Sequence, residues 1–89
     1  MAEIYDLTVA PHNPYGPVST AACVQLCATI PNFLLLEYVR TNEPWRSAVQ
    51  KGDPMIAQHG YIKLPSAPGL GIDLDEEVLK SRPYDPVTT

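Results

Sequence analysis

Leu7-Thr8-Val9-Ala10-Pro11-His12-Asn13-Pro14-Tyr15-Gly16-Pro17 opens the stretch that carries the fold, and Phe33-Leu34-Leu35-Leu36-Glu37 closes it. Residues 7–10 are short, apolar and β-branched at Thr8 and Val9, a buried-strand pattern that Pro11 ends. Residues 18–30 predict the best helix in the chain. Pro17 suits its first position, where a backbone N–H would be unpaired anyway, and Pro31 blocks continuation. Val18, Ala21, Ala22, Leu26 and Thr29 share a face, but Cys23, Val24, Cys27 and Ala28 leave almost no polar face. A helix apolar nearly all round wants burial on several sides. The unalternated apolar run 33–36 suits a strand buried on both faces, as in parallel sheets. Residues 7–36 therefore predict strand–helix–strand, the strands parallel and the crossover right-handed.

Both strands of such a unit finish at one edge of the sheet. His12 lies just beyond the first and Glu37 at the end of the second, so the two are expected to face one mouth. In parallel barrels and open sheets that carboxyl edge is where chemistry sits. Glu37 ends an apolar run, and a carboxylate there needs a partner or a task. Asn13 and Tyr15 are expected at the same mouth as lesser, substrate-contacting candidates.

Beyond residue 41 the texture changes. Residues 42–54 are polar around Trp45, which reads as a packing residue. Met55-Ile56-Ala57-Gln58 and Tyr61-Ile62-Lys63-Leu64 flank His59-Gly60, a two-residue hairpin turn. Pro65-Ser66-Ala67-Pro68-Gly69-Leu70-Gly71 is a loop of restricted conformation. Asp75 is placed to cap a last short helix, with Glu76 and Glu77 at its positive end, Lys80 at its negative end and Pro83 as the stop. The acidic group Asp73, Asp75, Glu76 and Glu77 lacks the spacing of a calcium loop and reads as a solvated helix start. The opening residues read as the tail of a helix turning at Asp6, and residues 83–89 as a loose end.

The chain is 89 residues with a formal charge of −4, and its six Lys and Arg are scattered rather than clustered. That balance argues against nucleic acid as a partner. No apolar stretch reaches the length of a membrane span, and the amino terminus carries no signal-peptide pattern; a cytoplasmic location is the expectation. Ten prolines, about twice the usual share, imply short elements and many loops. Cys23 and Cys27 are the only cysteines. Two thiols do not complete a four-ligand zinc site, and they read as reduced, small apolar side chains.

The run from Val9 to Pro17, the small-residue helix after it, Pro31-Asn32-Phe33, Glu37, Gly60-Tyr61-Ile62 and Pro65 through Leu74 together resemble the end of an enolase-superfamily enzyme. The likeness is to the galactonate dehydratase branch of the mandelate racemase and muconate lactonising group, and it extends to about Pro83. It implies an α/β fold in which residues 1–41 are the last strand–helix–strand unit of a (β/α)-barrel, strands seven and eight. Residues 42–89 would be a tail, with hairpin and short helix, that returns to the capping domain.

The same resemblance implies a Mg²⁺-dependent acid-sugar dehydratase, which removes the proton α to a carboxylate and eliminates water. His12 matches the acid/base histidine and Glu37 the position facing the substrate carboxylate. Mg²⁺ belongs to the full-length enzyme, and its ligands are not in this chain. They end the third to fifth strands, the histidine's carboxylate partner ends the sixth, and the capping domain is likewise outside. The chain therefore reads as a truncated gene, partial reading frame or fragment, inactive alone. The partners implied are a sugar-acid substrate and a homo-oligomer for the full-length protein, with self-association of the fragment and no nucleic acid or membrane. Racemase or cycloisomerase chemistry of the same superfamily, or a small non-catalytic interaction protein, stand as alternatives.

Overall fold

The computed structural model describes residues 1–40, 43–52 and 55–83. The chain enters through a 3₁₀ turn, Ala2–Tyr5, that ends with Asp6 in the left-handed region at φ 55°. Helix α1, Pro17–Thr29, follows the loop after Pro11. Its start at Pro17 and its end before Pro31 match the two prolines that bracket it. Ile30, extended ahead of Pro31, is the stop.

The expected parallel pairing is present but brief. Val9 bridges Phe33 in parallel: the Val9 N–H donates to the Asn32 carbonyl at 2.9 Å, and the Leu34 N–H to the Val9 carbonyl at 2.9 Å. The next tie runs from the Glu37 N–H to the Pro11 carbonyl at 3.2 Å. In regular register the donor would be residue 36, so the second segment carries one extra residue. Pro11 has no N–H to continue the ladder, which explains why the four-residue strands expected at 7–10 and 33–36 shrink to a single bridge. The extra residue brings Glu37, rather than Leu36, level with the loop that follows Pro11.

Pro44–Ala48 forms a short helix, α2, and Gln50–Gly52 a strand, β1. Strand β1 pairs antiparallel with β2, Ile72–Leu74, in the register Gln50–Leu74, Lys51–Asp73 and Gly52–Ile72. Neither strand was anticipated: three residues are too few to show an alternation. Between them His59 and Gly60, both at positive φ, make the expected turn, and Gln58 and Tyr61 exchange both backbone bonds at 2.8 and 3.0 Å. The hairpin extends no further than that bridge.

Helix α3, Glu76–Lys80, has Asp75 as its N-cap, accepting from the N–H groups of Glu77 and Val78, as the sequence suggested. Trp45 packs against the Arg46 and Arg82 guanidiniums, 5.4 and 5.0 Å from its ring centre. Its indole N–H donates to Glu43 at 2.6 Å. The Trp45–Arg82 contact ties α2 to the end of α3.

The core is small. Ala21 and Val24 of α1 meet Met55, with Leu36, Ile62 and Ile72 partly buried around them. Residues 1–41 and 42–89 thus share one core, and the Tyr38 hydroxyl reinforces it by donating to the Met55 carbonyl at 3.1 Å. The buried face of α1 is Thr20, Ala21 and Val24, whereas Val18, Ala22 and Leu26 of the expected apolar face are exposed. Cys23 and Cys27 are free thiols, half-buried. Burial, and then the neighbouring Cys23, push the Cys27 thiol up. No helix among the described residues is long and apolar enough to cross a membrane.

Candidate functional site

The parallel bridge sends two loops out of one sheet edge, and His12 and Glu37 meet there. His12 Nδ1 lies 2.5 Å from Glu37 Oε2, with the side chains 72% and 41% exposed. The same carboxylate oxygen accepts the Asn13 backbone N–H at 2.9 Å. Glu37 is therefore held from two directions by one loop, and the contact requires the His12 proton on Nδ1. Nε2 is then the free ring nitrogen, able to accept a proton when the ring is neutral and to donate one when it is cationic.

The Tyr15 ring stands edge-on to His12, centroids 6.3 Å apart, and is mostly exposed. Asn13 behaves otherwise. The outward, substrate-contacting side chain expected of it gives way to an inward one, 1% exposed. Its Nδ2 donates to Thr20 Oγ1 at 3.0 Å, and its Oδ1 accepts from Ser19 Oγ at 3.0 Å. The sequence held no distinctive sign of this: an Asn in a proline-rich loop and a Ser-Thr pair in the first helical turn are each common. His59 lies in its hairpin turn with no part in this edge.

A cleft of about 280 Å³ opens beside the loop, with Tyr15, Thr20, Tyr38, Arg40, Arg46 and Gln50 in its wall. Among the described residues no Asp or Glu is in its lining. Arg46 is partly neutralised by Glu43 at 3.4 Å.

A Mg²⁺ site does not fit these residues. Mg²⁺ asks for near-octahedral oxygen ligation, and this edge offers one carboxylate whose Oε2 already accepts two donors, beside a histidine. Among the described residues no group of three or more His, Cys, Asp or Glu gathers anywhere to hold a metal.

Comparison with known proteins agrees with the geometry. Residues 1–78 match the family model described as enolase C-terminal domain-like. The chain is 37% identical over 81 residues to a D-xylonate dehydratase of Haloferax volcanii, covering 91% of this chain and 19% of that protein. It is 41% identical over 83 residues to a D-galactonate dehydratase of Variovorax paradoxus, covering 86% and 22%. It thus spans about a fifth of the length of these curated relatives. Among solved structures, a mandelate racemase/muconate lactonizing enzyme from Sulfitobacter superposes with a TM-score of 0.85 at 38% identity, over 99% of this chain and 22% of that one. Another, from Jannaschia, gives 0.84 at 34%, over 94% and 21%. The barrel-end fold, the paired strand-end residues and these likenesses converge: the chain belongs to the enolase C-terminal domain-like family.

Proposed function

We propose that these residues are the carboxy-terminal part of an acid-sugar dehydratase, with His12 as its proton-transfer group. The observation that carries the reading is the His12–Glu37 contact at the end of two parallel segments. With Nδ1 turned to Glu37, neutral His12 presents Nε2 as a base for the proton α to the substrate carboxylate. Within this segment the imidazolium formed is stabilised by the same carboxylate, a place that the resemblance gives, in the complete enzyme, to a carboxylate ending the sixth strand. The imidazolium can return a proton to the hydroxyl that leaves from the β carbon, so one residue serves both halves of the elimination. Glu37 holds the ring and, through its other oxygen, faces the substrate. The neighbouring cleft, with two guanidiniums in its wall, suits an anion rich in hydroxyl groups. Mg²⁺ belongs to the remainder of the complete enzyme in this proposal, and none of the steps given to these residues runs through it.

Racemisation would begin with the same α-proton removal. Dehydration is preferred because the curated relatives described above are named as dehydratases. The segment alone is expected to be inactive. The test is a chimera in which these residues replace the matching segment of the Variovorax paradoxus D-galactonate dehydratase. His12→Asn in that chimera should leave the fold and substrate binding nearly intact while turnover falls by roughly 10²–10⁴-fold, the usual size of a lost general acid/base contribution. Unchanged turnover would remove His12 from the mechanism, and equal loss of folding and activity would mark it as structural.

A further inference from the structure

We propose that Cys23 and Cys27 form a two-coordinate site for a soft cation, copper(I), on the flank of α1. Both residues are free thiols, and both are half-buried. They stand four residues apart on one continuous helix, Pro17–Thr29, so their Cβ atoms lie roughly 5–6 Å apart on one face. Helical side chains lean toward the preceding turn, which carries the Cys27 sulfur toward Cys23. The two groups are also within electrostatic reach: after burial, Cys23 is the next cause that pushes the Cys27 thiol up.

Spacing decides what can join them. A disulfide asks for Cβ atoms about 3.5–4.5 Å apart, closer than an intact helical turn brings positions i and i+4. The pair therefore stays reduced as long as α1 stays helical. A single bridging ion has a longer span. Metal–thiolate bonds of about 2.3 Å place two sulfurs about 4.6 Å apart across a linear centre. Two side chains on adjacent turns reach that separation without unwinding the helix.

Coordination number and softness then choose the ion. Among the described residues no group of three or more His, Cys, Asp or Glu gathers to hold a metal, so an ion that asks for four ligands, such as Zn²⁺, is left short. The cleft of about 420 Å³ that reaches Cys27 gives an ion its entry, and among the described residues it has no carboxylate or imidazole in its wall. Thiolates select soft Cu(I), which is satisfied by two of them. Binding replaces two S–H bonds with two Cu–S bonds and releases two protons. Copper stays in its +1 state, so no electron is exchanged. Cys27 lies about 15 Å along the axis from Pro17, and the site is independent of the chemistry at the His12–Glu37 edge.

The test is an anaerobic titration of the reduced 89-residue chain with Cu(I), read by competition with a colorimetric Cu(I) chelator. One ion per chain should bind, and both thiols should stop reacting with a thiol reagent. Cys23→Ser and Cys27→Ser should each weaken binding by more than about 100-fold, beyond the cost of losing a mere supporting partner. Cys27→Ser combined with Ala28→Cys keeps two thiols but sets them about 140° apart around the helix. It should bind no better than Cys27→Ser alone. Wild-type affinity in any of these variants would overturn the proposal, as would half an ion per chain, the mark of thiols shared between two molecules. X-ray absorption at the copper edge of the loaded wild-type chain asks no variant to fold. Two sulfur neighbours at about 2.3 Å are expected; three or more sulfurs, or oxygen and nitrogen neighbours, refute the site.

Discussion

Glu37 and Asp75 are two partly solvated carboxylates with different tasks. Glu37 accepts from a ring nitrogen and a loop N–H and holds a candidate site together. Asp75 ends no strand at the mouth; it accepts from the N–H groups of Val78 and Glu77 and faces Lys51 Nζ at 3.5 Å. The bond from the Val78 N–H, foremost, and the charge of Lys51 hold its carboxyl below the ordinary value. The sign follows from that depression. The cap is fully effective above the unfolded carboxyl value of about 3.9, and its contribution is lost as pH falls through the lower folded value. Protection of the Glu77 and Val78 amides, taken as exchange relative to its intrinsic rate at each pH from 6 to about 2, should fall only in that acid window. Asp75→Asn, which caps without titrating, should make that protection independent of pH there; an unaltered acid loss of protection in the variant would assign the effect to other carboxylates.

At the scale of an element, two turns show how little chain is needed to set a direction. Gly60 has φ +83° and open space where a Cβ would stand, so Gly60→Ala meets only the left-handed backbone penalty, roughly 1–2 kcal/mol. Gly71 has φ +80° and is buried against Pro65, whose ring a Cβ would overlap. Gly71→Ala must move the proline loop and the start of β2 with it, so it should destabilise the chain more than Gly60→Ala. Urea midpoints followed by Trp45 fluorescence would rank them. Equal midpoints would mean that the loop gives way without disturbing the β1–β2 pair. Gly60 in its turn was readable from the flanking apolar runs. The close approach at Gly71 was not, because it depends on where Pro65 comes to rest.

Taken whole, the molecule is loosely built. Its radius of gyration is 15.2 Å, against about 12 Å expected for a compact domain of this length. Phe33, Leu34 and Leu35 are exposed beside a cleft of about 420 Å³ that Val24, Cys27 and Ile62 also line. Such contiguous apolar surface favours association, and a single parallel bridge leaves backbone groups open to pairing. Sedimentation velocity on the 89-residue chain should therefore show a concentration-dependent average mass, reduced by Leu34→Lys or Leu35→Lys. A concentration-independent monomer that melts sharply would refute this. Val24, 6% exposed inside the small core, should matter only through folding.

Local covalent physics made part of this structure legible. Pro17 and Pro31 bracket α1 because one has no donor to lose and the other cannot continue a helix. His59-Gly60 turns because both adopt positive φ, and Asp75 caps because its oxygen reaches the N–H groups just ahead of it. That His12 and Glu37 share one edge also followed from sequence, through the rule that parallel strands end at a common edge. Tertiary structure alone decided the rest. The extra residue opposite Pro11 made Glu37 the neighbour of His12, the pairing of Gln50–Gly52 with Ile72–Leu74 left no pattern in three residues, and Asn13 turned inward. Each of those depends on partners distant in the chain, whose positions follow from packing and hydrogen-bond satisfaction rather than from any local preference.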